Sequence, residues 1–166
     1  MRSALRSICA AIFCVVVLLG GCAVPPQATL EGPNGIAPWR GRLAVKVESD
    51  QSRSFSAGFE LKGNGVAGEL ILYTPLGSTV AALSWSSGSA LMRANGEVRH
   101  FESLNGLIKQ AVGIEIPVAA LFAWLGGDHM AVSGWDADLS QYDQGRITAR
   151  RMAPAPLAEL RLVLEK

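Results

Sequence analysis

Side chains able to do chemistry are sparse in this 166-residue chain, and they are unevenly placed. All three cysteines, Cys9, Cys14 and Cys22, lie near the N-terminus. Cys22 stands directly after Leu19-Gly20-Gly21, so a nucleophilic thiol follows residues small enough for a peptidase to accept. The two histidines, His100 and His129, sit far apart and share no metal-ligand spacing with cysteines. His100 reads as an exposed strand residue, and His129, after Gly126-Gly127-Asp128, as a loop residue. Asp136 and Asp138 have the spacing of a solvated turn, not of a paired-acid site. No G-x-S-x-G elbow, G-x-G-x-x-G turn or phosphate loop occurs. The chain is therefore read as no enzyme, with no metal and no bound cofactor.

The element that presents Cys22 is a leader. Arg2 and Arg6 precede an uncharged apolar run from Ile8 to Leu19, which ends on Gly20-Gly21. That run is shorter than the ~20 residues a spanning helix needs, so residues 1–21 read as a secretory signal peptide. With Leu19 three positions before the cysteine, the segment resembles the bacterial lipobox. That resemblance implies cleavage before Cys22, a diacylglycerol thioether on its sulfur and a third acyl chain on the new amino group. Ala23 stands where an Asp would resemble an inner-membrane retention signal, and so points to the outer membrane. Cleavage takes 21 of the 166 residues and leaves 145, the size of one domain. With Cys22 occupied by lipid, no disulfide can form, and the core must hold the domain together.

The chain carries 15 basic and 14 acidic residues; without Arg2 and Arg6 the mature form has about one net negative charge. No basic patch interleaved with aromatics appears, so nucleic acid is not an expected partner. Residues 22–38, with Pro25, Pro26, Pro33 and Pro38, read as a semi-rigid tether behind the lipidated cysteine. Residues 39–166 read as the folded domain. From Trp39 the apolar pattern has period two. Leu43, Val45 and Val47 alternate with polar or small residues, as do Phe55, Ala57, Phe59 and Leu61. Further strands follow over 66–73, 79–85 and 90–93, and Asn95-Gly96 is a two-residue hairpin signal.

The period then changes. Ser103 is a candidate N-cap for a helix carrying Leu104, Leu107, Ile108, Ala111 and Val112, with Gly113 as its stop. Pro117 opens a second short helix that ends before Gly126-Gly127. Strands are expected again over 130–135, 146–152 and 157–164, with a polar turn region over 136–145. Strands, two helices and strands without βαβ alternation predict a mainly β, α+β domain. Its curved antiparallel sheet would carry the helices on its apolar face. Thr74-Pro75-Leu76-Gly77-Ser78 joins two apolar strands as a turn shaped by Pro75 and Gly77, which leaves Leu76 exposed at the tip.

Trp39-Arg40-Gly41-Arg42-Leu43-Ala44-Val45, then Thr74 to Thr79, then Gly113 to Val118 with Leu121, Trp124, Leu125 and Gly126, resemble the LolB family in order. The similarity runs over roughly residues 39–135. It implies an incomplete antiparallel β-barrel closed by short helices over an apolar cavity. It further implies that the protein is lipid-anchored on the periplasmic face of the outer membrane. There it receives lipoproteins by their acyl chains from a LolA-like periplasmic carrier and inserts them into the membrane. The family's exposed apolar loop residue, which helps place cargo in the membrane, matches Leu76.

Acyl chains need a dry pocket and no reactive group. At ~0.8 kcal/mol per buried CH₂, ten methylenes would supply roughly 8 kcal/mol before ordering costs. Phe55 and Phe59 on one strand face, and Leu121, Trp124 and Leu125 on one helix face, are the expected lining. The domain is expected to act as a monomer. A structural or protein-interaction lipoprotein without lipid cargo is the alternative, and it would have a solid core in place of a cavity.

Overall fold

A computed structural model describes residues 38–165; the signal, Cys22 and nearly all of the expected tether lie outside these residues. The period-two stretch from Trp39 to Phe101 forms six strands: β1 (Trp39–Val47), β2 (Phe55–Gly63), β3 (Gly68–Tyr73), β4 (Thr79–Ser86), β5 (Ser89–Ala94) and β6 (Glu97–Phe101). Each pairs antiparallel with the next. The β5–β6 turn has both central residues at positive φ, Asn95 at 53° and Gly96 at 78°, as a type I′ hairpin requires.

Two helices follow. In α1 (Leu104–Val112) the Ser103 Oγ accepts the Gly106 N–H at 3.1 Å. At its other end Gly113 turns left-handed at φ 79°, with its N–H on the Lys109 carbonyl. α2 (Val118–Leu125) begins after Pro117, whose lack of an N–H costs nothing at a helix start. All eight α2 residues are apolar, so the helix is covered on more than one side.

Three strands complete the chain: β7 (Trp135–Asp138), β8 (Arg146–Arg151) and β9 (Ala158–Leu164). β9 returns beside β1, giving one nine-stranded sheet in the order β6-β5-β4-β3-β2-β1-β9-β8-β7. The β1–β9 approach is close at Gly41, where a Cβ would run into the Val163 carbonyl. The edge strands β6 and β7 do not pair, so the barrel stays open, and the two helices lie in the connection between them. The buried core comes from inward residues of the strands together with Leu107, Ala120, Trp124 and Leu125 of the helices. All of these lie within residues 45–162, so the domain carries its own core.

One expectation is corrected. Residues 130–134 do not form a strand; Val132 makes a single bridge to Trp135, where β7 begins. The strand lies just beyond, inside the stretch expected to be a polar turn. β7 alternates outward Asp136 and Asp138 with inward Ala137, and it pairs Asp136 with Arg150 of β8. An edge strand with one buried alanine and two aspartates carries too little apolar signal to separate it from a turn.

Candidate functional site

Between the sheet and the helices lies a hollow of about 270 Å³. It is walled by β1–β5, β9, α1 and α2, and every lining side chain is apolar. No lining residue can titrate, donate a charge or attack a bond. Four of the five residues expected to line a cavity do so: Phe59 and Leu125 from buried positions, Leu121 half-buried, and Phe55 at the rim with 37% of its surface exposed. Trp124 does not. Its indole N–H donates to the Met130 carbonyl at 3.0 Å and its ring packs 6.2 Å from that of Trp135. It fills the wall behind the hollow, because an indole needs a hydrogen-bond partner when buried and the hollow has none to give.

Trp85 meets the same need while still lining the hollow, donating to the Asn64 carbonyl at 2.8 Å. Phe122 bridges it to Trp39, with ring centroids 6.4 and 5.7 Å away. Reading the sequence missed the share contributed by α1. Leu104, Ile108 and Ala111 also face the hollow, and their helical spacing was the available signal. β3 supplies Leu70 and Leu72, neither of them fully buried, because their inner side meets space where other strands meet side chains.

The β3–β4 turn is held by its own hydrogen bonds. The Thr74 N–H donates to the Ser78 carbonyl at 2.8 Å, and the Gly77 N–H to the Thr74 carbonyl at 2.9 Å. Thr74 Oγ1 accepts the Ser78 N–H at 3.1 Å. Gly77 takes φ 83°, a conformation costly for any side-chain-bearing residue. Leu76 is left 95% exposed at the tip. Three hydrogen bonds and a fixed glycine turn an apolar side chain outward, where burial would be the favourable choice.

Polar chemistry lies away from the hollow. His129 Nε2 contacts the Ala137 carbonyl at 3.1 Å, and His100 stands on β6 exposed to solvent. Hydrogen bonds from Ser140 hold the Asp138 carboxyl below the usual range. Hydrogen bonds from Arg40 and then Lys62 do the same for Glu60 on the outer face of β2. Among the described residues no group of three or more potential ligands could hold a metal ion, and no helix is long and apolar enough to cross a membrane.

Fold and hollow together define a class: open antiparallel half-barrels with an apolar interior covered by helices. The family model described as "Outer membrane lipoprotein LolB" matches residues 38–157. The chain is 32% identical to an outer-membrane lipoprotein LolB of Bordetella pertussis, over 92% of this chain and 89% of the relative. It is 29% identical to that of Thiobacillus denitrificans, over 89% of this chain and 90% of the relative. The chain belongs to the LolB family of outer-membrane lipoproteins.

Proposed function

We propose that this chain receives lipoproteins by their acyl chains from a LolA-like periplasmic carrier and passes them into the outer membrane. Cys22 is the acylated anchor, and the domain works as a monomer. No catalytic step is involved, and no cofactor beyond the covalent lipid. The carrying observation is the hollow whose wall is apolar without exception. An enzyme would place a polar group there, and a purely structural domain would fill the space. The hollow is close to the lower end of ordinary ligand cavities, roughly 300 Å³. It therefore fits part of one chain at rest, and a multiply acylated cargo requires α1 and α2 to move from the sheet. Direction follows from relative affinity, with the hollow holding acyl chains better than the carrier and less well than the bilayer.

Leu76 completes the transfer. Burying one leucine is worth about 1.5–3 kcal/mol, too little to anchor a protein but enough to orient one already tethered. The test is a reconstituted transfer in which carrier-bound acylated lipoprotein is offered to the full chain and then to liposomes. Leu121→Trp fills the hollow and should cut acceptance from the carrier. Leu76→Glu should leave acceptance intact and cut delivery to liposomes. Normal acceptance by a folded Leu121→Trp variant contradicts the acyl site, and normal delivery by Leu76→Glu contradicts the role of the tip.

A further inference from the structure

The loop Met152-Ala153-Pro154-Ala155-Pro156-Leu157 joins β8 to β9 without one polar side chain. Five of its six residues are exposed, Met152 at 61% and Leu157 at 38%. Both ends are fixed: the Met152 N–H donates to the Gly134 carbonyl at 2.8 Å, and the Leu157 carbonyl accepts the Glu48 N–H at 3.0 Å. Pro154 and Pro156 each lock one φ, which leaves the loop little freedom to fold its side chains back. Antiparallel pairing fixes where the loop emerges. β8, β9, β1, β2, β3 and β4 alternate in direction across the sheet, so the β8–β9 loop leaves at the same edge as the Leu76 turn. The β2–β3 turn, with Val66, leaves at the opposite edge. Among the described residues nine large apolar side chains are exposed. Six of them, Phe55, Leu76, Val80, Val98, Met152 and Leu157, lie at or next to the first edge. Apolar surface gathered in this way marks a contact surface, since water alone does not favour it.

We infer that the β8–β9 loop is a second bilayer contact of the anchored domain, working beside Leu76. The chain belongs to a family of outer-membrane lipoproteins, so a bilayer is its standing neighbour. A bilayer asks only for apolar area, whereas a protein partner is specified by hydrogen bonds around an apolar centre, and these six side chains offer none. The loop and the Leu76 turn are four strand spacings apart along the sheet, roughly 19 Å at ~4.8 Å per strand. A tethered domain can swivel about one apolar point. Two points set its tilt and turn this edge of the barrel to the membrane. This inference rests on the proposed membrane role of Leu76.

Cys9, Cys14 and Cys22 all precede the folded domain, so a cysteine introduced there is its only thiol. The test anchors the full chain, acylated at Cys22, in vesicles of phosphatidylethanolamine and phosphatidylglycerol that contain a lipid spin-labelled in its acyl chain. A nitrobenzoxadiazole fluorophore is attached at Met152→Cys, at Leu76→Cys or, on the opposite edge, at Val66→Cys. All three positions are exposed, so the fold should tolerate the label. The spin-labelled lipid should quench emission at Met152→Cys and at Leu76→Cys and leave Val66→Cys bright. Quenching at Leu76→Cys without quenching at Met152→Cys overturns the inference and leaves the role of the tip standing. Quenching at Met152→Cys alone keeps the loop as a contact and removes the tip. Quenching at neither overturns the membrane reading of the tip and the inference with it. Equal quenching at all three positions means indiscriminate contact and also overturns the inference. So does emission at Met152→Cys that changes only when the carrier is added, which would make the loop a protein contact.

Discussion

β3 and β8 are strands of one antiparallel sheet with opposite interiors. All six residues of β3 are half-buried and none is fully buried, though Glu69 is the only charged residue among them. β8 has the sequence Arg146-Ile147-Thr148-Ala149-Arg150-Arg151, half of it arginine, yet Ile147 and Ala149 are within 1% of complete burial. The difference lies in what each strand faces. Small inward residues on the β7–β9 side, Ala137, Ala149 and Ala158, belong to the same packed core as Trp124 and Leu125. On the β3 side, Leu70 and Leu72 line the hollow together with Leu121 and Phe122 of α2. One half of the barrel is used for stability, the other for capacity.

The largest effect should fall on the packed half. Trp124→Ala removes a 1%-exposed indole and should cost about 3–5 kcal/mol, read as a lowered urea midpoint. Leu72→Ala on the open half should cost only about 1 kcal/mol, since a half-buried leucine gives up little transfer energy. Its binding of an apolar probe should nevertheless change, whereas a Trp124 variant that still folds should bind as before. If Leu72→Ala destabilises as much as Trp124→Ala, the two halves are packed alike and the contrast fails.

Leu76→Glu should leave the urea midpoint within about 0.5 kcal/mol of native, because the side chain is 95% exposed. Liposome delivery should fall roughly tenfold, in line with the loss of one buried leucine.

The smallest effect concerns pH. Arg40 and Lys62 stabilise ionised Glu60, so its folded-state pKa lies below the ordinary value of 4.5. A depressed carboxyl pKa gives stability that is present above the unfolded-state value and lost as pH falls through the folded-state one. Native protein should therefore lose stability below about pH 4.5 more steeply than Glu60→Gln, by under about 1 kcal/mol for a half-buried pair on the outer face of the sheet. Parallel profiles would show that the pair adds nothing.

Much of the fold was legible in the sequence, and unevenly so. Strand patterns marked seven of the nine strands, the Asn95-Gly96 hairpin implied β6, and Ser103, Gly113 and Pro117 marked both helices, because local chemistry decides these. The Thr74–Ser78 turn was legible for the same reason. β7 was not, since Asp136 and Asp138 obey pairing with β8 instead of any local preference. Trp124 was assigned to the hollow because helix spacing gives the face of a residue but not the carbonyl its N–H will find. What stayed hidden was tertiary in origin: the pairing that makes β7 a strand, and the carbonyl that the Trp124 N–H finds.

The most direct test places a photo-crosslinking amino acid at Leu70, facing the hollow, or at Val163, exposed on the outer face of β9. Each full-length variant is offered carrier-bound lipoprotein bearing radiolabelled acyl chains. Acyl-chain adducts should form from Leu70 and not from Val163. Adducts from Val163 alone, or from neither position in a variant that still accepts cargo, would contradict the claim that the hollow is where acyl chains are held.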